Sequence, residues 1–205
     1  FLRMAPELNL PPFTKIIAIY PRNVLLADQL REAMAEAEKL RPVLSAAGLR
    51  PIRFGALLGD TPFKHYFDAS TPKYYHWKRR GTGAVIPYLK SPVDGGRSDL
   101  IWRDEDRKAG QTCLYREGAT QPDVPSGVLA LTREELAESP PDVLFLSLEM
   151  LNREMCSPQW EKTFGMRRGA DRSPRLLLLD EVHAHEGLTG AQVAWVLRRW
   201  RHWAR

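Results

Sequence analysis

The amino-acid sequence predicts an α/β fold in which helices flank a parallel sheet. Three observations lead to this prediction: short apolar runs recur along the chain, amphipathic helical segments separate them, and polar residues follow their ends. Strands that alternate with helices are typical of parallel sheets. The chain has 205 residues, of which 43% are hydrophobic and 27% charged, so it can bury a core and is not a disordered chain.

The first part of the chain predicts a strand, a helix and a second strand. The β-branched run Ile16–Tyr20 is typical of a buried strand, which Pro21 ends. Apolar residues then recur at helical spacing over Val24–Ala47, and Gly48 marks the helix end. Alternating apolar residues predict the second strand over Pro51–Leu58.

Residues 61–130 interrupt this alternation. They are rich in Pro, Gly, aromatic and charged residues and show no lasting period, so we expect an irregular insertion. Within it, the segment Lys73–Arg80 interleaves aromatic rings with cations. That composition suits stacking on bases and contact with phosphates, but a packed or partner-binding insertion has the same composition.

Regular structure resumes at residue 132. The predicted strands are Val143–Leu148 and Arg175–Asp180. The predicted helices begin at a capping box of Thr132 and Glu135, at Glu149, at Ser157-Pro158 and at a second capping box of Thr189 and Gln192.

The composition also limits the class of protein. The apolar runs, such as Val143–Leu146 and Leu176–Leu179, are all far shorter than the roughly 20 residues of a membrane span. Cys113 and Cys156 are too few for a disulfide framework, so we expect a cytoplasmic protein without a membrane partner. The net charge of +5 permits a nucleic-acid partner without requiring one.

The strongest chemical signal is Asp180-Glu181-Val182-His183, directly after the last strand. The carboxyl ends of parallel strands are where α/β folds bind ligands. Asp180 could hold a hydrated Mg²⁺ that bridges nucleotide phosphates, and Glu181 could polarise an attacking water. Two alternatives stay open: the carboxylates only cap the following loop, or Asp180, His183 and His185 bind zinc or a pair of metal ions.

These residues resemble the DExH box, motif II of superfamily 2 helicases. Ile19–Gln29 is similar to motif Ia, Gly59-Asp60-Thr61 to a segment of Lhr-like enzymes, and Ser147–Leu151 to motif Ib. The stretch Asp180–Arg201 most resembles the large helicases of antiphage defence, such as the DISARM helicase. Four motifs in the right order therefore identify the chain as similar to the first RecA-like lobe of these helicases.

The resemblance implies a fold, cofactors and partners. The chain 1–205 would be part of a RecA-like P-loop NTPase lobe, the helicase ATP-binding domain, with 61–130 inserted in it. Its cofactors would be ATP and Mg²⁺. Its partners would be nucleic acid, with DNA favoured over RNA, the second helicase lobe of the same chain, and other defence-system subunits.

The resemblance also assigns site residues. Asp180 would bind the metal ion, and Asp180 and Glu181 would both contact the nucleotide. Glu181 would also orient the attacking water. His183 would couple ATP hydrolysis to the second lobe. The implied nucleic-acid contacts are Pro21, Arg22, Asn23, Gly59, Asp60, Thr61, Ser147 and Glu149.

The pattern has gaps. No Gly-x-x-x-x-Gly-Lys-Ser/Thr sequence occurs in the chain, so the phosphate-binding P-loop of the family would lie upstream of Phe1. Motif III of the family, a Ser-Ala-Thr segment after the helix that follows motif II, would lie beyond Arg205. Without the P-loop strand and the motif III strand, we expect gaps in the sheet beside Val143–Leu148 and Arg175–Asp180. The segment alone should therefore lack ATPase activity. A non-catalytic platform for nucleic acid or protein, built on a degenerate helicase lobe, is the alternative.

Overall fold

A computed structural model describes residues 7–68, 71–166, 172–181 and 187–204. The strands are β1 (Ile16–Ile19), β2 (Phe54–Leu57), β3 (Arg79–Arg80), β4 (Gly83–Lys90), β5 (Asp99–Arg103), β6 (Leu114–Tyr115), β7 (Leu129–Ala130), β8 (Val143–Leu146) and β9 (Leu176–Leu179). The helices are α1 (Asn23–Ala46), α2 (Asp104–Lys108), α3 (Arg133–Glu138), α4 (Leu148–Glu154), α5 (Glu161–Phe164) and α6 (Gly187–Trp203).

The main sheet has five parallel strands in the order β7-β2-β8-β1-β9, with helices on its faces. The predicted α/β class with a parallel, helix-flanked sheet is therefore confirmed. β1, β2 and β8 are buried along their whole length, which is why their sequences are continuous apolar runs rather than alternating ones.

Each face of the sheet has its own core. On one face, Ile16 and Ala18 of β1 share a buried cluster with Leu26, Leu30 and Met34 of α1. On the other face, Ile17 and Ile19 of β1 and Leu144 and Leu146 of β8 share a second buried cluster with residues of α3, α4, α5 and α6. Successive side chains of a strand point to opposite faces, so one apolar run supplies both clusters.

Residues 61–130 contain a second sheet, which is antiparallel in the order β3-β4-β5-β6. The rings of Trp77 and Trp102 are almost fully buried, and Phe67 packs against both, with ring centroids 5.0 and 6.4 Å away. This cluster is continuous with that of α1. At the end of the region, β7 joins the main sheet by pairing with β2. The expectation of an irregular segment is wrong here, because its aromatic residues form a core.

Two predicted helix starts are also corrected. Thr132 caps α3 as expected, since its hydroxyl accepts a hydrogen bond from the Glu135 N–H at 3.1 Å. Ser157 makes no side-chain cap, and a short 3₁₀ turn at Pro158–Trp160 precedes α5. α6 has the bounds Gly187–Trp203, so the position of Thr189 lies within the helix and not before it.

A buried ion cluster fastens the amino edge of the main sheet. Lys15, just before β1, pairs with Asp142, just before β8, at 2.6 Å, and both side chains are 2% exposed. The Arg50 guanidinium donates two hydrogen bonds to the same carboxylate, at 2.6 and 2.8 Å. The backbone N–H of Arg53 donates a further one at 2.8 Å. Four donors therefore converge on one carboxylate, which compensates its loss of water.

The outer edge of the sheet at β9 is open in the part of the chain that the structure describes. β8 pairs with β1 on one side and β2 on the other, so the expected gap beside it is wrong. β9 pairs only with β1, and its residues Leu176 and Leu178 are 41% and 45% exposed. None of the described helices is both long and apolar enough to cross a membrane.

Candidate functional site

All the segments that carry predicted motifs lie at one edge of the main sheet. Because the strands are parallel, their carboxyl ends meet at the same edge. Across it, residues 59–61 follow β2, 147–149 follow β8, 21–23 follow β1 and 180–181 follow β9. The three segments assigned to nucleic acid thus lie on neighbouring strands, and the acidic pair follows the outer strand beside them.

Asp180 is held at the end of β9 and presents its carboxylate to solvent. Its N–H donates to the Ile19 carbonyl at 3.0 Å, which fixes it beside the end of β1. Tyr20 ends that neighbouring segment, and its ring stacks on Phe145 at 5.9 Å. Burial raises the pKa of the Tyr20 phenol, and the charge of Asp180 raises it further. Tyr20 therefore stays a neutral hydroxyl near the carboxylate, a role that sequence reasoning did not assign.

Glu181 has the backbone conformation that most needs an explanation. Its φ is 47°, and it is the only non-glycine residue with positive φ among those described. A side chain in this left-handed region costs roughly 1–2 kcal/mol, and such strain tends to occur at functional sites. His183 and Val182 lie outside the described residues, so the coupling role of His183 stays a prediction.

Pro21, Arg22 and Asn23 form the turn from β1 into α1. Arg22 precedes the helix in an extended conformation, and both Arg22 and Asn23 are exposed. The first turn of α1 contains no acidic residue, and Arg22 makes no ion pair with any described residue. Free N–H groups at the start of a long helix, together with an unpaired cation, can bind an anion such as a phosphate.

The Thr61 side chain holds the loop after β2 in shape. It is fully buried, its hydroxyl donates to the Ala56 carbonyl at 3.0 Å, and it accepts from the Leu58 N–H at 2.8 Å. Both hydrogen-bonding functions are thus used inside the protein. The Thr61 side chain is therefore not available for the nucleic-acid contact that the resemblance implies.

Gly59 and Asp60 are the accessible members of the same loop. Gly59 is exposed, with open space around the position of a Cβ. The Asp60 carboxylate lies 2.9 Å from His76 Nδ1. The backbone carbonyl of Asp60 accepts a hydrogen bond from the Trp77 indole at 2.9 Å. The loop is therefore fastened to the second sheet, and only its tip can meet a ligand.

Arg133 is a positioning residue for this loop. Its guanidinium donates to the carbonyls of Leu58 and Thr61, each at 3.2 Å, and pairs with Glu154 at 2.8 Å. Burial would raise the pKa of Glu154, but hydrogen bonds from Arg133 and from the Trp160 indole lower it. Nothing in the sequence pattern distinguishes Arg133 from any other basic residue at a helix start.

Ser147 caps α4, because its hydroxyl accepts from the Met150 N–H at 3.2 Å. Glu149 is exposed in the first turn of that helix, where a carboxylate stabilises the helix dipole. The same carboxylate would repel a phosphate. A nucleic-acid contact at this turn therefore stays a prediction for the Ser147 backbone and, with less physical support, for Glu149.

Two cations of the segment Lys73–Arg80 form ion pairs within the protein. Arg79 contacts Asp104 at 2.5 Å and Arg80 contacts Asp99 at 2.9 Å. Trp77 is 1% exposed and belongs to the core rather than to a stacking surface. The predicted base-stacking role is therefore excluded for Trp77.

No described residues form a ready-made metal centre: in that part of the chain, no group of three or more His, Cys, Asp or Glu could hold an ion. The zinc alternative requires His183 and His185, which lie outside the described residues, so it stays open. A lone carboxylate such as Asp180 fits Mg²⁺, which keeps several waters and binds protein through one or two carboxylates plus phosphates.

Comparison with known proteins gives a similarity to one part of a much longer protein. In an alignment 218 positions long, the chain is 25% identical to the Druantia protein DruE of Escherichia coli (strain UMEA 4076-1). The match covers 92% of this chain and 12% of DruE, so the chain spans about an eighth of that relative. No family model and no solved structure matches the chain.

Proposed function

We propose that the chain is part of the ATP-binding, RecA-like lobe of an ATP-dependent nucleic-acid helicase or translocase that acts in antiphage defence. ATP would bind with Mg²⁺ at the carboxyl edge of the main sheet, and a nucleic-acid strand, DNA in preference to RNA, would cross the same edge. The P-loop and the second lobe would come from other parts of the polypeptide. The similarity to the Druantia protein DruE supports the defence role.

The observation that carries the proposal is the arrangement of the strand ends. Four segments that resemble helicase motifs follow β2, β8, β1 and β9, which are consecutive strands of one parallel sheet. Each segment directly follows its strand, so the parallel sheet brings all four to the edge where α/β folds bind ligands. The open edge of β9 further supports the proposal, because it leaves room for strands that the rest of the protein would supply.

The acidic pair would divide the catalytic work. Asp180 is exposed and fixed to the end of β1, so it would hold the water shell of the ion. When bound, Mg²⁺ would supply charge neutralisation of the phosphates. Glu181 would orient and polarise the attacking water, and its left-handed backbone would aim the side chain differently from that of Asp180. Tyr20 would remain a neutral donor beside them.

The test is Glu181→Gln in the full-length protein that contains this chain. Only the basic carboxylate is lost, so we expect the ATP turnover rate to fall by about 10²–10⁴-fold while ATP binding changes little. Glu36→Gln, an exposed carboxylate on α1 paired with Lys39, is the matched control. Turnover by Glu181→Gln within a factor of two of the unmodified protein would refute the assignment.

The platform alternative differs in one encoded feature. A Gly-Lys-Ser or Gly-Lys-Thr sequence in the residues that precede this chain in its gene supports the enzyme, since that lysine contacts the terminal phosphates. A protein without such a sequence, and without nucleotide binding by equilibrium dialysis, would be a non-catalytic platform.

A further inference from the structure

One flank of α6 carries two exposed tryptophans with an arginine between them. Trp195, Arg199 and Trp203 follow at intervals of four residues, and we call them the Trp–Arg–Trp stripe. Trp195 is 57% and Trp203 is 51% exposed. The helix packs on the sheet through other residues, chiefly Val193 and Val196, which are buried. The two exposed indoles are therefore not needed to hold α6 in place.

The stripe borders a groove between α4 and α6. The Arg199 guanidinium spans this groove, because it donates to Asn152 Oδ1 at 3.2 Å and to Cys156 Sγ at 2.7 Å. It separates two hollows: one of about 570 Å³ is lined by Trp195, and one of about 440 Å³ is lined by Trp203. Each exposed indole thus stands at its own hollow, with a cation between them.

The α6 side of this surface is positively charged, which suits an anionic partner, while one carboxylate lines each hollow, Glu149 at Trp195 and Glu161 at Trp203. Residues 187–204 include no Asp or Glu, and they carry Arg198, Arg199, Arg201 and His202. Arg199 contacts only a neutral amide and a thiol, and no carboxylate of the described residues lies within ion-pair distance of it. Its guanidinium also lies over the Trp195 ring at 4.7 Å. The positive charge is held in position without being neutralised.

We propose that the Trp–Arg–Trp stripe binds single-stranded nucleic acid, with one base on Trp195, one on Trp203 and a phosphate at Arg199. Trp195 and Trp203 are eight residues apart, which is about 12 Å along the helix axis, with Arg199 midway, so the two rings would take bases of non-adjacent nucleotides with a phosphate between them. Aromatic rings with interspersed cations are the usual means of sequence-tolerant strand binding. An acidic peptide would satisfy the charge, but only some of its side chains have rings, whereas every nucleotide brings a base with a flat face for an indole.

The groove also continues from the proposed site. The hollow at Trp195 is lined by Leu148 and Glu149, which directly follow Ser147 at the carboxyl edge of the main sheet. A strand that crosses that edge would therefore continue along α6, with its phosphates toward Arg199 and away from the Glu149 carboxylate. The inference rests on the nucleic-acid part of the proposed function, but binding at the stripe needs no ATP hydrolysis.

The experiment measures the affinity of the full-length protein for a fluorescein-labelled oligothymidylate by fluorescence anisotropy, without ATP. Trp195→Ala and Trp203→Ala should each weaken binding about ten-fold, while Trp→Phe at the same positions should restore most of the affinity. Arg199→Gln should reduce the slope of log affinity against log salt by about one. Val43→Ala and Arg41→Gln, exposed on α1, are matched controls that should change neither quantity.

The proposal is overturned if both alanine variants stay within two-fold of the unmodified protein. It is also overturned if they keep oligothymidylate affinity and instead lose binding to a polyglutamate peptide, since the partner would then be an acidic protein. Loss of oligothymidylate affinity together with unchanged ATP turnover in Glu181→Gln would refute the proposed catalytic function and leave this binding site standing.

Discussion

Removing the charge of Asp142 should destabilise the fold more than any single change at an exposed ion pair. Asp142→Asn keeps the size of the side chain and one acceptor oxygen. It leaves Lys15, which is 2% exposed, without a counter-ion. Arg50 is 33% exposed and can turn to water, so its loss should contribute little. The cost therefore comes mainly from the stranded Lys15 charge, and the new amide NH₂ adds to it because it faces N–H donors that had a carboxylate oxygen.

The magnitude follows from two bounds. Breaking a buried ion pair by removing one partner costs about 3–5 kcal/mol. The penalty cannot exceed the alternative of releasing the lysine proton, which for an ordinary lysine costs about 4.6 kcal/mol at pH 7 and about 2 kcal/mol at pH 9. We therefore expect Asp142→Asn to lower the free energy of unfolding by about 3–4 kcal/mol at pH 7, or the Tm by about 10 °C.

Urea unfolding followed by circular dichroism measures this loss, with Glu36→Gln as the control. Glu36 pairs with Lys39 on the surface, where both side chains are about 70% exposed, so its loss should cost under about 1 kcal/mol. Lys15→Met in the Asp142→Asn background should recover part of the loss, because no buried charge remains. If Asp142→Asn cost no more than Glu36→Gln, the reasoning about the stranded charge would be wrong.

The ion cluster around Asp142 should also make the stability of the unmodified protein depend on pH in acid. Burial alone would raise the pKa of Asp142, but hydrogen bonds from Arg50, Lys15 and the Arg53 N–H bring it below its ordinary value of 3.8. A carboxyl with a lowered folded-state pKa stabilises the fold above the unfolded pKa. Its contribution should thus be complete above about pH 4 and be lost progressively below that. The Asp142→Asn variant should lack this loss.

Two further predictions concern the carboxyl edge. Glu181→Gly removes the strain of a positive φ, so it should raise the free energy of unfolding by up to about 1 kcal/mol while abolishing ATP turnover in the full-length protein; a loss of stability would mean that this backbone is not strained. Thr61→Val removes the hydroxyl that hydrogen-bonds the Leu58 N–H and the Ala56 carbonyl, so it should lower the free energy of unfolding by about 1–3 kcal/mol, measured by urea unfolding. Thr61→Ser keeps the hydroxyl and should lower it less. Equal stability of the two variants would contradict the structural role of the hydroxyl.

Much of the fold was predictable because its signals are local. A strand that is buried on both faces must be a run of apolar residues, so Ile16–Ile19 and Val143–Leu146 were visible within their own sequences. The long helix α1 shows its period in the same way. The motif segments were predictable as strand-end residues, and a parallel sheet brings strand ends to one edge whatever their separation along the chain.

The second sheet was not visible, because its signals are spread across the chain. β3 and β6 are two residues long, too short for any period, and the rings that make its core come from distant segments. Trp77 looked like part of a base-binding surface because composition cannot show whether a ring in a turn faces the solvent or a core. Only packing against Phe67 and Trp102 decided that it is buried.

By itself, the sequence determined the α/β class, the main parallel strands and the position of the acidic pair at a strand end, since each depends on neighbouring residues. The tertiary structure decided the strand order, the open edge at β9 and the burial of the Thr61 hydroxyl. It also brought Arg133 to the loop after β2, and it set the stripe on α6 against α4. These features depend on contacts between residues far apart in the chain, and no local pattern encodes them.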